Sequence, residues 1–137
     1  MSKTRIPARL RREIQAQAGH RCGYCRSSEA ITSVPLVVDH IVPEAAGGPT
    51  VQENLWLACV RCNQFKADRT HAQDPLTGEL VALFNRRTQV WKEHFTWSAD
   101  GAEIVSLTPG GRATVVALRL NRELAVLARG QWVSVGW

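Results

Sequence analysis

Two Cys-x-x-Cys pairs, Cys22–Cys25 and Cys59–Cys62, restrict what this chain of 137 residues can fold into. The tight turn of each pair suits two ligands of one tetrahedron, so the four thiolates can close a single zinc site. Such a site has no open coordination position and contributes folding energy directly, so we predict one structural Zn²⁺ per chain. Four buried or disulfide-bonded cysteines are the alternative, but two close pairs in a reducing compartment favour the metal.

The 33 residues between the pairs contain a strand that ends in two polar residues. In Leu36–Pro43, apolar and β-branched residues lead directly into Asp39 and His40. This pattern predicts a buried strand that presents two potential metal or proton ligands at its end. A second short strand is predicted at Leu55–Leu57, packed back on the first, and the second cysteine pair then opens a helix.

Basic side chains are concentrated in residues 1–26, which hold seven of them against one acidic side chain. This local charge of +6 exceeds the net charge of the whole chain, +5, and it suits a polyanionic partner. Apolar residues at every fourth position, Ile6, Leu10 and Ile14, predict a helix in this segment. A solvated helix that keeps the protein soluble is the alternative. The candidates for nucleic-acid contact on this helix are Arg9, Arg11 and Arg12.

The remaining patterns concern location and domain organisation. The first residues lack the apolar run of a signal peptide, and no stretch reaches the roughly 18 apolar residues that span a bilayer. We therefore expect a cytoplasmic protein without a membrane partner. The turn signals Asp74-Pro75 and Thr77-Gly78 divide the chain into residues 1–73 and 74–137, which we expect to pack as one compact unit.

Residues 74–137 alternate between extended and helical patterns, so we predict a mixed α/β C-terminal extension. A strand at 79–84 and a short helix at 88–95 precede a hairpin turn at Ser98–Gly101. Thr108-Pro109 predicts the start of one helix, and a last helix is predicted at about residues 122–133.

Several short motifs occur in a specific order between the N-terminal helix and this extension. They are Cys22-x-x-Cys25, Asp39-His40-Ile-x-Pro43, Gly47-Gly48, Asn54-Leu55 and Cys59-x-x-Cys62-Asn63-x-x-Lys66. Together, over roughly residues 19–70, they resemble the HNH endonuclease family in its zinc-stapled form. Residues 74–137 look like the tail that accompanies many small bacterial HNH proteins.

The resemblance implies an α+β protein with a ββα-metal core: two short strands and a helix around one catalytic divalent cation, usually Mg²⁺. It implies that Asp39 and Asn63 bind this ion and that His40 acts as general base on the attacking water. Asn54 would hydrogen-bond across the loop that aims His40. The third signature position is often His in this family. In this chain the position is occupied by Asn63, a neutral oxygen ligand that suits a hard cation.

Hydrolysis of a phosphodiester is chemically consistent with these residues. A histidine that titrates near neutrality can take the proton of the attacking water, and a metal ion can polarise the phosphate and stabilise the leaving oxygen. Lys66 lies three residues after Asn63 on a neighbouring helix face, so we predict a phosphate contact, with a solvated surface lysine as the alternative. Arg61 and Arg69 are weaker candidates for contacts to a nucleic-acid backbone.

We therefore predict a metal-dependent DNA endonuclease that leaves 5′-phosphate and 3′-hydroxyl ends and has no small-molecule substrate. The alternative is a zinc-stapled nucleic-acid-binding module with an inactive nuclease centre. A protein that only binds nucleic acid does not need the complete set of Asp39, His40, Asn54 and Asn63, which disfavours this alternative. A protein-interaction adaptor is a third hypothesis, which the basic N-terminal helix disfavours.

Overall fold

The computed structural model describes residues 5–136, and the chain divides into two compact units. The first unit comprises Met1–Thr70 together with Asn85–Thr88, and the second comprises His71–Phe84 and Gln89–Trp137. The chain thus leaves the first unit after residue 70 and returns to it for residues 85–88. The division into 1–73 and 74–137, packed as one compact unit, stays a prediction. No helix between residues 5 and 136 is long and apolar enough to cross a membrane.

The first unit contains the predicted N-terminal helix and a pair of antiparallel strands followed by a helix. Its elements are α1 (Ala8–Ala18), α2 (Glu29–Thr32), β1 (Val37–His40), β2 (Leu55–Ala58) and α3 (Val60–Lys66), with 3₁₀ turns at Glu44–Ala46 and Gln52–Asn54. The strand register places Asp39 opposite Trp56. The observed order of strand, strand and helix confirms the predicted α+β class and its ββα core.

Helix α1 has the narrow apolar face that its sequence predicted. Ile14 is fully buried, and the helix packs against β2, which is buried along its whole length. The helix ends at Gly19, whose left-handed conformation (φ 60°) lets the next amide, that of His20, bond to the carbonyl of Gln15 at 3.0 Å. The basic residues of α1 are therefore carried on a helix whose position is fixed by the core.

The described residues of the second unit form β-hairpins and helices of mixed α/β character, as predicted. Its elements are β3 (His71–Gln73), β4 (Leu80–Ala82), α4 (Trp91–His94), β5 (Phe95–Trp97), β6 (Ile104–Ser106), α5 (Pro109–Ala117) and α6 (Glu123–Ser134). The predicted strand at 79–84 and helix at 88–95 are both shorter in the structure. Strand β3 was not predicted, because three residues are too few to show an alternating pattern and this strand depends on its pairing with β4.

Local turn and capping signals in the second unit were predicted correctly. The amide of Ser98 bonds to the carbonyl of Glu103 at 2.9 Å, which closes the predicted hairpin turn between β5 and β6. The hydroxyl of Thr108 accepts the amide of Gly111 at 3.0 Å and caps α5.

A buried ion pair also stabilises the second unit. Arg112 forms a bidentate salt bridge with the fully buried Asp74, which holds the pKa of that carboxyl well below its usual range.

Candidate active site and zinc site

The four predicted zinc ligands lie together. The sulfur atoms of Cys22, Cys25, Cys59 and Cys62 are all within 4.8 Å of one another, and none of these cysteines is in a disulfide. The two sulfurs of Cys25 and Cys59 are 3.6 Å apart, close to the roughly 3.8 Å expected between ligands at about 2.3 Å from a tetrahedral zinc ion. These residues therefore fit a closed tetrathiolate zinc site.

Short local contacts shape both halves of this cluster. The amide of Tyr24 donates to the sulfur of Cys22 at 3.4 Å, and the amide of Cys62 donates to the sulfur of Cys59 at 3.3 Å. Hydrogen bonding with Cys22 lowers the pKa of Cys59 to about 7 and also lowers that of Cys25. In contrast, burial raises the pKa of Cys22, and hydrogen bonding with Cys22 raises that of Cys62. A lowered pKa favours the thiolate, which is the form that binds a metal.

The turn between Cys22 and Cys25 contains Gly23, at a position where a larger residue would not fit. A Cβ atom at this position would lie 2.4 Å from Cδ1 of Trp56, so the indole packs directly on the backbone of the turn. The amide of Gly23 also bonds to the carbonyl of Leu57 at 2.9 Å. The cysteine turn is thus tied to β2, the second strand of the ββα core.

Asp39, at the end of β1, is buried and held by two donors. Its Oδ2 accepts the hydroxyl of Tyr24 at 2.9 Å, and its Oδ1 accepts Nζ of Lys66 at 3.2 Å. Burial raises the pKa of the Asp39 carboxyl, against the opposing effect of the Lys66 charge. Since Tyr24 belongs to the first cysteine pair, the zinc cluster and the strand end are joined by a single side chain.

Lys66 is buried inside the protein and does not make the predicted contact with a phosphate. Only 2% of this residue is exposed, and its ammonium also donates to the carbonyls of His40 at 3.0 Å and Ile41 at 3.2 Å. With the bond to Asp39, all three ammonium hydrogens are used. The prediction failed because spacing on a helix gives the face of a residue but does not show whether that face is buried. Lys66 instead fastens α3 to the end of β1.

His40 is oriented by residues that the motif reasoning did not identify. Its Nε2 lies 2.9 Å from the hydroxyl oxygen of Thr50 and 3.7 Å from a carboxylate oxygen of Glu44. The Thr50 hydroxyl in turn donates to Glu44 at 3.3 Å. Because that hydroxyl has one hydrogen, this arrangement requires Nε2 to carry the imidazole proton and leaves the lone pair on Nδ1. The sequence signal for Glu44 was its position four residues after His40.

Asn54 lies across the loop that follows β1. Its amide nitrogen donates to the carbonyls of Val42 and Pro49, each at 2.9 Å, and its amide oxygen accepts the amide of Val42 at 2.9 Å. A Cβ atom at Gly48 would lie 1.7 Å from the carbonyl oxygen of Val42, so the loop closes on itself with no room for a side chain there. This placement agrees with the loop-bracing role that the resemblance implied for Asn54.

One cleft of about 920 Å³ brings the proposed catalytic residues together. Asp39, His40 and Asn63 line it, and so do two of the predicted arginines, Arg11 and Arg12. Arg5 and Glu44, which were not among the predicted contacts, line it as well. The cleft thus combines oxygen and nitrogen ligands with guanidinium groups, which suits a phosphodiester substrate.

The other predicted arginines do not line this cleft. Arg9 pairs with Glu13 on the exposed side of α1, at 3.4 Å. Arg61 donates to Gln64 on the surface of α3, and Arg69 donates to the carbonyls of Phe65 and Lys66. Their predicted contacts to a nucleic-acid backbone stay predictions.

A catalytic divalent cation fits the residues at the strand end. Asp39 supplies a carboxylate whose oxygens each keep a further lone pair, and the side chain of Asn63 makes no hydrogen bond within the described part of the chain. Two oxygen ligands that line the same cleft suit a Mg²⁺ site that is completed by water and substrate phosphate.

These features define a ββα unit with four clustered cysteines and an Asp-His pair at the strand end. Residues 22–69 match the family model described as HNH endonuclease, so this part of the chain is an HNH domain, as the motifs predicted. No curated protein and no solved structure gives a significant match to the chain. The HNH domain indicates a nuclease or another function that involves nucleic acids.

Proposed function

We propose that this protein is a metal-dependent endonuclease that hydrolyses DNA and leaves 5′-phosphate and 3′-hydroxyl ends. The observation that carries the proposal is the shared cleft, in which Asp39, His40 and Asn63 lie with Arg5, Arg11 and Arg12. Each chemical requirement of phosphodiester hydrolysis has a candidate residue there.

Binding of the substrate is assigned to the guanidinium groups along the cleft. Arg5, Arg11 and Arg12 would hold the phosphates on either side of the scissile bond, which positions that bond over the strand end. Asp39 and Asn63 would hold a divalent cation, which when bound polarises the phosphate and stabilises the leaving oxygen.

Proton transfer is assigned to His40. Its Nδ1 would remove a proton from a water molecule as that water attacks the phosphorus atom, and the bond from phosphorus to the 3′ oxygen would then break. The leaving 3′ oxygen gains a proton, while the 5′ side keeps the phosphate. Thr50 and Glu44 would stabilise the protonated imidazole through Nε2.

We propose that the four cysteines bind one structural Zn²⁺ and that this ion has no catalytic part. A tetrathiolate site leaves no coordination position for water or substrate. Its contribution is to hold the cysteine turns, and with them Tyr24 and α3, around the strand end.

Cleavage of plasmid DNA tests the proposal. Purified wild-type protein with Mg²⁺ or Mn²⁺ should nick or cut the plasmid, and EDTA should stop the reaction. His40→Ala should lose cleavage by at least about 100-fold while keeping its zinc, and the matched control His71→Ala, on β3, should cleave normally. Absence of cleavage with every divalent ion, on duplex, single-stranded and branched DNA, would reject the enzyme assignment.

The buried ion pair between Lys66 and Asp39 favours a second candidate, a nucleic-acid-binding module with an inactive nuclease centre. An ammonium 3.2 Å from the carboxylate weakens the attraction of that carboxylate for a divalent cation. Calorimetric titration with Mn²⁺ separates the two candidates, since the inactive module should bind DNA but no second metal ion beyond zinc.

A further inference from the structure

Four arginines gather in the first unit, and none of them lines the cleft of the candidate active site. Arg86 and Arg87 both place their guanidinium carbons over the ring of Trp56, at 5.2 and 4.7 Å from its centre. Arg26 follows the first cysteine pair, and Arg21 precedes it and donates to the carbonyl of Arg26 at 3.1 Å. We call these residues the arginine cluster.

Two members of the arginine cluster, Arg26 and Arg86, have no hydrogen-bonded or ion-paired partner among the described residues. Arg26 and Arg86 are both half-buried, and neither side chain has a hydrogen bond or an ion pair to any residue from 5 to 136. The Nε atom of Arg86 is fully shielded from solvent without an acceptor. Partly desolvated guanidinium groups are normally paired with an anion, because an unpaired charge is costly to bury.

Arg26 and Arg86 are related through Trp56: Arg86 stacks on its ring, and the same indole packs on the cysteine turn at Gly23 that directly precedes Arg26. The groups of opposite sign are the thiols of Cys22 and Cys25, which act on Arg26, and Glu53, which acts on Arg87. A tetrathiolate zinc site has a formal charge of −2, so with Glu53 these groups leave the four arginines with an excess of one positive charge.

The other two members are already held in place by the protein. Nε of Arg87 donates to the carbonyl of Leu55 at 3.0 Å, and its Nη2 donates to Gln17 at 2.6 Å. Arg21 is fixed by its bond to the Arg26 carbonyl. In the arginine cluster, the protein therefore holds the guanidinium groups of Arg21 and Arg87 through hydrogen bonds. Those of Arg26 and Arg86 keep N–H donors that can bind an anion.

We infer that Arg26 and Arg86 form a second phosphate-binding site, separate from the cleft, which holds a backbone phosphate of the nucleic acid. A phosphate is the anion that best matches two guanidinium groups, since each can donate a pair of parallel N–H bonds to its oxygens. The inference rests on the proposed function for the choice of nucleic acid as the source of the phosphate. Stacking of Arg86 on Trp56 limits the freedom of its side chain, so little conformational entropy is lost on binding.

The salt dependence of DNA binding tests this inference. Affinity of the full-length, zinc-loaded protein for a short duplex would be measured by fluorescence anisotropy at about 50 to 200 mM KCl without added Mg²⁺. Arg86→Gln should weaken binding about tenfold and reduce the slope of log K against log salt by about 0.9, and Arg26→Gln should act similarly. Lys92→Gln, an equal change of charge at an exposed position of α4 in the second unit, should leave both quantities unchanged.

Zinc content and thermal unfolding of each variant show whether the change is confined to binding. If Arg26→Gln and Arg86→Gln lose zinc and keep the wild-type salt slope, the arginines only balance the charge of the zinc site, and the inference is wrong. Arg86→Lys retains the charge but not the paired donors, so it should keep the slope and lose several-fold in affinity.

A measurement on the wild-type protein covers the case in which the variants do not fold. The Nε–H resonances of ¹⁵N-labelled arginines would be followed while inorganic phosphate, and separately the DNA duplex, is added. Shifts at Arg26 and Arg86 with both additions support the inference; shifts with inorganic phosphate alone would assign the site to a free phosphate ion, and no shift with either would overturn it. Loss of cleavage in His40→Ala has no bearing on these readings, so failure of the proposed nuclease chemistry is recognised separately.

Discussion

The zinc cluster and the strand-end site lie in the same unit but differ in how they would hold a metal ion. The cluster offers four sulfur ligands, three of them buried, with all sulfurs within 4.8 Å of one another. The strand end offers one buried carboxylate and one amide on the wall of an open cleft, and the carboxylate already has a cation, Lys66, beside it. A closed site of high charge retains its ion, whereas an open site with a single carboxylate exchanges it and leaves positions for water and phosphate.

The difference between the two sites has a structural consequence for Asp39. Its negative charge is compensated by Lys66 and Tyr24, so the strand end is stable without a divalent cation. Four thiolates at the separation of the cysteine sulfurs repel one another unless a metal ion is bound between them. We therefore expect folding to depend on zinc and not on the second metal ion.

Loss of one zinc ligand should have the largest effect. Cys62→Ser should remove the ion and with it folding free energy on the order of 10 kcal/mol, which exceeds the stability of a typical small domain. Zinc quantification should fall from about one ion per chain to none, and circular dichroism should show loss of structure in the first unit. A variant that keeps a cooperative unfolding transition without zinc would show that the cluster is not the structural staple.

Removal of the buried ammonium should have the next largest effect. Lys66→Met leaves the Asp39 carboxylate buried without its cation, so we expect a loss of about 3 kcal/mol in the free energy of unfolding at pH 7. Urea unfolding measures this quantity, and Lys92→Met serves as the exposed control.

The same variant should show a particular pH dependence. Because burial raises the folded-state pKa of Asp39 above its unfolded value, the protonated carboxyl favours the folded state. The stability lost in Lys66→Met should therefore be smallest at about pH 4 and should grow as the pH rises, as ionised Asp39 becomes more costly to bury. If Lys66→Met lost the same free energy of unfolding at about pH 4 and at pH 7, the proposed pairing of Lys66 with Asp39 would be wrong.

Tyr24 should link the two sites, with a smaller effect. Tyr24→Phe removes the hydroxyl that bonds to Asp39 at 2.9 Å, which should reduce the free energy of unfolding by about 1 to 2 kcal/mol. The zinc content should stay the same, while the Mn²⁺ concentration that gives half-maximal cleavage should change several-fold. An unchanged metal dependence would mean that the zinc cluster and the strand end act independently.

The smallest effect is expected from the residue that orients His40. Thr50→Val keeps the shape of the side chain but removes the oxygen 2.9 Å from Nε2, so a larger fraction of the imidazole should adopt the other tautomer. We expect kcat to fall by about 10-fold, with little change in the KM for DNA or in zinc content. Thr77→Val, in the second unit, provides a matched control for the substitution.

The sequence allowed the fold of the first unit and its principal polar residues to be predicted because both depend on spacing. Two cysteine pairs, a strand that ends in Asp-His and an asparagine on the following helix can be recognised without knowledge of their contacts. The supporting contacts could not be recognised in this way. The bond from Tyr24 to Asp39 spans 15 positions and that from Lys66 to Asp39 spans 27, and no periodic pattern relates such residues.

The failed prediction for Lys66 illustrates the same limit. A lysine beside a proposed phosphate site is usually exposed, and its burial here follows from three acceptors that converge at the end of β1. The unpartnered guanidiniums of Arg26 and Arg86 also had no sequence signal, because residues 60 positions apart are brought together only by the return of the chain to the first unit.

That return has a consequence for dividing the protein. Since residues 85–88 belong to the first unit although they follow part of the second, no single cut in the chain separates the two units. A truncation after residue 73 would remove Arg87, which binds the carbonyl of Leu55 and the side chain of Gln17. An isolated nuclease domain would therefore have to carry the segment Asn85–Thr88 through a shortened connection in place of the intervening hairpin.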